Sequence, residues 1–264
     1  MTILFFGDII GKIGREAVRK VLPDLRRTFQ PDAVIANVEN LAHGKGVTDS
    51  TYQEMLDMGV DVMTSGNHIW KQKQGVAILD RRDSKLLRPA NYPPTNPGTG
   101  VKTIEIGTKR LSVVNLQGRV FMHEQIDDPF QVIDRILETL PLGDRSAIFV
   151  DMHAEATSEK VALGWYLDGR VSTVVGTHTH VPTADAWIMP GGTGYITDVG
   201  MTGSRDSVIG VEKNAIIRSF KTSVPVAHEI PEHGEVTVNA LVARIDDASG
   251  KTKTIQLHQQ LTNV

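Results

Sequence analysis

The sequence predicts an α/β sandwich: a mixed sheet, or two sheets, with helices on the outer faces. Three observations point there. The first half alternates short continuous apolar runs with amphipathic stretches, the βαβα rhythm of strands buried on both faces. The second half carries more alternating apolar–polar segments, the mark of antiparallel strands with one wet face. The 264 residues show no linker-like boundary, internal repeat or low-complexity tract, so one domain spanning 1–264 is expected.

Taken in order, Ile3–Phe6 reads as a buried strand. A helix over Gly14–Gln30 follows, with Ala17, Val18, Val21, Leu22 and Leu25 at helical spacing, and Pro23 is expected to kink or break it. Ala33–Val38 is the next strand and Thr48–Met58 the next helix, with Thr48 as N-cap and Gly59 as stop. Val60–Thr64 is a third strand and Val76–Asp83 a short helix. Pro89 to Gly100, with its prolines and glycines, reads as a surface connection. Val101–Ile106 and Leu111–Leu116, separated by Gly107–Arg110, predict an antiparallel hairpin. Asp128–Leu140 and Thr157–Leu167 read as helices, Ala147–Met152 and Val171–Gly176 as strands, and Pro190–Gly194 as a turn. From Val224 onward the alternation predicts antiparallel strands.

Composition narrows the function. Hydrophobic residues make up 40% and charged residues 22%, which excludes a disordered or fibrous chain. A net charge of −3 excludes a chain-wide basic footprint for nucleic acid, though it allows a small basic pocket. The absence of cysteine excludes disulfides, zinc fingers, thiolate nucleophiles and iron–sulfur clusters. Any metal must be held by histidine, carboxylate or amide oxygen. No apolar run approaches the ~18 residues of a membrane span. The chain opens on MTILFFGD, without a basic leader, so the cytoplasm is the expected compartment.

The polar residues are the informative ones, because each cluster follows a predicted strand. Gly7-Asp8, Glu39-Asn40, Gly66-Asn67-His68, Asp151-Met152-His153-Ala154-Glu155 and Gly176-Thr177-His178-Thr179-His180 stand at successive strand ends. In open α/β sheets, sites form outside the carboxyl ends of strands. Singly, each has an ordinary reading: Asp8 as a turn residue, His68 as an exposed turn histidine, His153 as a satisfied core histidine. Together they converge. Three histidines, two carboxylates and two amides exceed one tetrahedral zinc and fit two adjacent metals sharing a bridging carboxylate, the arrangement that hydrolyses phosphate esters. Donor chemistry alone leaves iron, manganese, zinc and cobalt open.

These residues carry a resemblance. The order Gly7-Asp8, an acid with Asn, Gly66-Asn67-His68, a lone His, and then Gly176-Thr177-His178-Thr179-His180 resembles the calcineurin-type metallophosphoesterases, and more closely their bacterial YmdB-like branch. The stretches GDIIGKIGRE, ANVENLAHGKG, TSGNHIW, RPANYP, VNLQGR, DMHAEATSEK, VVGTHTHVPTAD and YITDVGMTG carry it over nearly the whole chain. The resemblance implies two mixed sheets packed face to face between helices. It implies one metal on Asp8, Glu39, Asn40 and His180, and a second on Glu39, Asn67, His153 and His178. Asn40 would stand where the wider superfamily has a histidine after Asp8, and Glu39 where it has a bridging Asp. His68 would be the proton donor, and iron is the metal this branch suggests.

The function this implies is a binuclear phosphodiesterase for cyclic nucleotides, 2′,3′-cyclic nucleotides included, with phosphomonoesterase activity as a side reaction and a metal-bridging hydroxide as nucleophile. A metal-dependent regulatory or RNA-associated protein, with turnover secondary, is the alternative. A homo-oligomer is compatible with either. His43 and Arg119 are candidate substrate contacts, with Lys45, Arg88 and Asn91 as further phosphate contacts. His123, His228, His233 and His258 read as surface residues. Gly7 to Lys12 lacks the spacing and the Ser/Thr of a P-loop.

Overall fold

The computed structural model describes residues 1–140 and 146–264. Among these, the strands form two six-stranded sheets. In the first, β1 (Thr2–Phe6), β2 (Ala33–Asn37) and β3 (Val62–Thr64) are parallel. Between them run α1 (Gly11–Phe29) and α2 (Asp49–Asp57). The long C-terminal hairpin of β11 (Glu235–Ile245) and β12 (Thr252–Asn263) joins this sheet, with β11 antiparallel to β1. The short β10 (Gly203–Ser204) pairs with the start of β11. In the second sheet, β4 (Val101–Ile106) and β5 (Lys109–Gln117) form the expected hairpin. From β5 the sheet continues in parallel through β6 (Ser146–His153), β7 (Thr173–Thr177) and β9 (Gly194–Ile196). The two-residue β8 (Trp187–Ile188) closes the edge.

Side-chain alternation along β1 builds two cores at once. Ile3 and Phe5 point between the sheets, while Leu4 and Phe6 point to the helices. Between the sheets, Phe5 packs on Phe149 of β6 with ring centroids 5.2 Å apart, amid Ile35, Val62, Val113 and Val175. Outside the first sheet, Val18 and Leu22 of α1 and Met55 of α2 cover Leu4 and Val34. Outside the second, Ile133 of α4 (Pro129–Thr139) and Leu163 of α5 (Thr157–Leu167) cover Val114, Ile148 and Val150. The layers therefore run helix, sheet, sheet, helix, as the resemblance implies.

Several expectations change. Pro23 neither breaks α1 nor ends it. It lies on the exposed face, where water can satisfy the carbonyl that loses its amide partner. Thr48 caps α2 as expected, in a reciprocal capping box with Thr51. The short helix α3 begins earlier than expected, at Lys73, and ends at Leu79. The connection after Pro89 is irregular but not superficial. Asn91 is fully buried and its amide donates to the carbonyls of Gln117 (2.8 Å) and Asp127 (3.0 Å). Arg88 is buried too and donates to the Pro89 carbonyl at 2.8 Å. Both are tied into the scaffold. Sequence reading missed α6 (Lys213–Thr222) and the short strands β8, β9 and β10, which span too few residues to show a period. The stretch from Val224 to His233 is coil, and the C-terminal alternation begins only at Glu235.

Candidate metal centre

The parallel strands aim their carboxyl ends at one edge, and the chemistry collects there. Asp8 follows β1, Glu39 and Asn40 follow β2, and Asn67 and His68 open a 3-10 turn, Asn67–Lys71, after β3. From the second sheet, His153 ends β6, and His178 and His180 follow β7. One donor atom each from Glu39, His153 and His178 lies within 4.8 Å of the others. Glu39 is the hub: Oε1 is 3.2 Å from His153 Nε2 and 3.4 Å from His68 Nδ1, while Oε2 accepts the His68 amide at 3.0 Å. His178 Nδ1 faces His153 Nε2 at 3.0 Å. On the other side, Asn40 Nδ2 is 3.4 Å from His180 Nε2, which lies 3.9 Å from Asp8 Oδ1. Asp8 Oδ2 accepts the His178 amide at 3.1 Å.

Each histidine is fixed from behind, so that a chosen nitrogen faces inward. The Thr177 hydroxyl donates to Asp151 Oδ1 at 2.8 Å and is left to accept from His153 Nδ1 at 2.9 Å. That places the His153 proton on Nδ1 and turns the Nε2 lone pair to the cluster. Asn37 and Thr64 also donate to Asp151 and hold the relay in place. His180 Nδ1 donates to the Ile209 carbonyl at 2.8 Å, again leaving Nε2 inward. His178 Nε2 pairs with Glu155 at 3.2 Å, leaving Nδ1 inward. Gly66 is required here because a Cβ on it would sit 2.1 Å from the His153 ring.

The 178–180 loop carries strain. His178 (φ 99°) and His180 (φ 66°) both occupy left-handed backbone, at a cost of about 1–3 kcal/mol per residue. Asp198 holds the loop by accepting the Thr179 amide (3.2 Å) and hydroxyl (2.7 Å), and the buried Lys160 ammonium balances its charge at 2.7 Å.

The electrostatics suit cations. Burial opposes ionisation of Glu39, but His153 and His68 hold its carboxyl well below the usual carboxylate range. Burial would lower His153; Glu39 reverses this and raises it to about 9. Burial, reinforced by His153, lowers His178 to about 3. Burial pushes the Asp8 carboxyl up, against His180 and His153. Asp8 Oδ1 and Asn67 Oδ1 are buried with no hydrogen-bond partner. An unsatisfied buried oxygen costs about 1–3 kcal/mol unless something supplies positive charge. Two orphaned oxygens beside three inward-facing histidine nitrogens and an ionised carboxylate fit metal ions, and the donor set is the nitrogen–oxygen mixture of a transition-metal site. One detail is less direct. The Asn40 oxygen accepts from His68 Nδ1 at 2.9 Å while its nitrogen faces His180, so offering the oxygen on that side requires the amide to turn.

The cluster floors a cleft of about 810 Å³. His43 and Lys45 line it, as does His228, which the sequence placed among ordinary surface residues. Arg119 is not among the lining residues; it is paired with Asp128 at 3.2 Å. His258 packs on Phe29, away from the site. Sequence reasoning placed Asp151, Glu155 and Thr177 in the strand-end clusters but gave them no role, and it did not single out Asp198. An acid in the middle of the apolar β6 was the available signal for Asp151, since a carboxylate there must have partners.

Two packed mixed sheets between helices, with this donor cluster at their strand ends, define the class: the calcineurin-type metallophosphoesterase fold. The chain belongs to the YmdB-like protein family, whose model matches residues 4–257. It is 46% identical over 257 residues to a 2′,3′-cyclic-nucleotide 2′-phosphodiesterase of Bacillus subtilis (strain 168), covering 97% of this chain and 96% of that protein. Among solved structures, a hypothetical protein from Thermus thermophilus superposes with a TM-score of 0.92 at 42% identity, over 99% of both chains. A novel phosphatase of Mycoplasma pneumoniae superposes with a TM-score of 0.92 at 34% identity, covering 100% of this chain and 94% of that one. Among the described residues, no helix is long and apolar enough to cross a membrane.

Proposed function

We propose that this chain is a metal-dependent phosphodiesterase that opens 2′,3′-cyclic nucleotides at the 2′ ester, releasing nucleoside 3′-phosphates. The observation that carries it is the Glu39–His153–His178 cluster beside the orphaned oxygens of Asp8 and Asn67, at the floor of an open cleft. The substrate follows the Bacillus subtilis relative, and both share near-complete coverage. Asp8, Glu39, Asn40 and His180 would hold one metal; Glu39, Asn67, His153 and His178 would hold the other. Iron is our choice, and manganese, zinc and cobalt accept the same donors. Two such cations would supply charge for the phosphate oxygens and acidify a water to a nucleophile near neutral pH.

The chain's own residues do the rest. Glu39, held ionised, joins the two halves of the donor set. Asp151 and Thr177 keep His153 Nε2 turned inward, so this ring need not reorient when the site fills. Glu39 engages His68 through its backbone amide and Nδ1, which leaves Nε2 as the ring atom to protonate the departing 2′ oxygen. His43, on left-handed backbone (φ 50°) in the cleft wall, contacts the substrate. One domain, residues 1–264, performs this in the cytoplasm.

The deciding experiment is a turnover screen of purified, metal-analysed protein against 2′,3′-cyclic nucleotides, 3′,5′-cyclic nucleotides, cyclic dinucleotides and simple monoesters. The expected result is highest kcat/KM on 2′,3′-cyclic nucleotides, with 3′-phosphate as product. A metal-loaded protein that turns over no phosphate ester overturns the reading.

A further inference from the structure

The wall of the cleft facing the donor cluster is apolar, and the donors do not explain it. Helix α6 buries none of its residues, yet Ile216 and Phe220 line the cleft and Phe220 is 84% exposed. An aromatic side chain left in water forgoes the burial that normally stabilises it. Beside it, Ile209 is a β-branched residue on left-handed backbone (φ 46°), a conformation such residues rarely adopt. It is half exposed and lines the same wall. Reciprocal backbone bonds between Val208 and Val211 (2.8 and 3.0 Å) pin this turn. Its carbonyl accepts from His180, so the strained apolar turn lies one hydrogen bond from the donor cluster.

We propose that Ile209, Ile216 and Phe220 form the nucleobase subsite of this enzyme, with Phe220 stacking on the base while the phosphate lies over the donor cluster. This rests on the phosphodiesterase reading above and adds what holds the other end of the substrate. A nucleotide is charged at one end and presents a flat π-face at the other, and the cleft is divided the same way. Its volume of about 810 Å³ lies within the ~300–1,000 Å³ usual for small-molecule sites. Stacking on an aromatic tolerates every base, because every base has a π-face. Ser219 and His228, also in the wall, offer hydrogen bonds to base edges.

The test compares a base-bearing with a base-free substrate. On 2′,3′-cyclic AMP, Phe220→Ala is expected to raise KM about tenfold with a smaller change in kcat, as loss of one stacked base does. On glycerol 1,2-cyclic phosphate, which has no base, the loss should be several-fold smaller. Phe220→Trp should restore the nucleotide KM, which a merely structural role would not require. Equal losses on both substrates, or no loss on the nucleotide, overturn the subsite. So does a Phe220→Ala chain whose sedimentation shows altered oligomeric state with unchanged nucleotide affinity, since Phe220 then faces a second copy. Calorimetric binding of adenosine 3′-phosphate separates this from failure of the phosphodiesterase reading. If wild-type protein hydrolyses no ester but still binds that nucleotide in a Phe220-dependent way, the base subsite stands and the reaction does not.

Discussion

The two walls of the cleft are built on opposite principles. The donor wall consists of strand ends, buried and locked by hydrogen bonds that reach back into both sheets, such as Asn37 and Thr64 to Asp151. The opposing wall is α6 and the flanking coil, exposed and without a buried residue in the helix. Chemistry that depends on fractions of an ångström is placed where packing cannot yield. Recognition of a substrate's remote end sits on the loosely held wall, where substitutions cost little stability. Substitutions in the donor wall should therefore change metal binding and kcat, and those in the opposing wall should change KM.

The largest effect is expected at Glu39. As the hub between both halves of the donor set, its replacement by Gln should lower metal occupancy at both positions and reduce turnover by more than about 10³-fold, since bound cations supply several kcal/mol of charge stabilisation. Asp8→Ala should deplete mainly one position. Metal analysis per chain distinguishes them, and equal single-site losses in the two variants would count against a bridging role.

Next comes His68. His68→Ala should keep its metals and lose about 10²–10⁴-fold in turnover on a nucleotide ester, the usual contribution of an acid–base group. A nitrophenyl ester should show a much smaller penalty, because nitrophenolate leaves without a proton. Equal penalties on the two esters, or metal loss in the variant, would make His68 a ligand or a positioning residue.

The relay behind His153 should give an intermediate effect. Thr177→Val removes the hydroxyl that fixes the tautomer and is expected to weaken metal affinity about 10–100-fold, with Thr177→Ser close to wild type. Titration calorimetry reads this directly. The pH dependence follows from the same ring. In the metal-free protein His153 is raised to about 9, so at pH 7 it carries a proton that the metal must displace. Affinity should rise with pH, by about tenfold per unit for one displaced proton, and level off near pH 9. His178, lowered to about 3, is already neutral and adds no slope between pH 5 and 9. A flat profile over that range would mean that Glu39 does not act on His153 as its 3.2 Å contact implies.

The donor wall was also the legible one. Asp8, Glu39, Asn40, His153, His178 and His180 end strands whose apolar runs are visible in the chain, so both their existence and their common edge could be read. The rest was hidden for physical reasons. Asp151 acts through Thr177, and a hydroxyl relay leaves no spacing signature. The short strands β8, β9 and β10 are defined by their neighbours, not by periodicity. Helix α6 has apolar residues at Ile216, Ile217 and Phe220, but on an exposed helix that pattern does not say what it faces.

The smallest effect is expected at Arg119, and it is informative for that reason. Basic residues after a strand invite assignment to phosphate, and Arg119 follows β5 at the same edge as the donors. The structure gives it other work. Its side chain pairs with Asp128, the N-cap of α4, at 3.2 Å, and its backbone amide donates to Glu159 of α5 at 2.9 Å. The guanidinium is about half exposed, so the pair is worth at most about 1 kcal/mol after solvent screening. Arg119→Ala should therefore leave KM for a cyclic nucleotide within about twofold and shift thermal stability only slightly. His43→Ala, by contrast, alters a residue that does line the cleft and should raise KM severalfold. If Arg119→Ala instead raises KM as much as His43→Ala, the arginine must leave Asp128 to meet the phosphate. The substrate would then span from the donor wall toward the second sheet, and the division between a rigid chemical wall and an apolar recognition wall would fail.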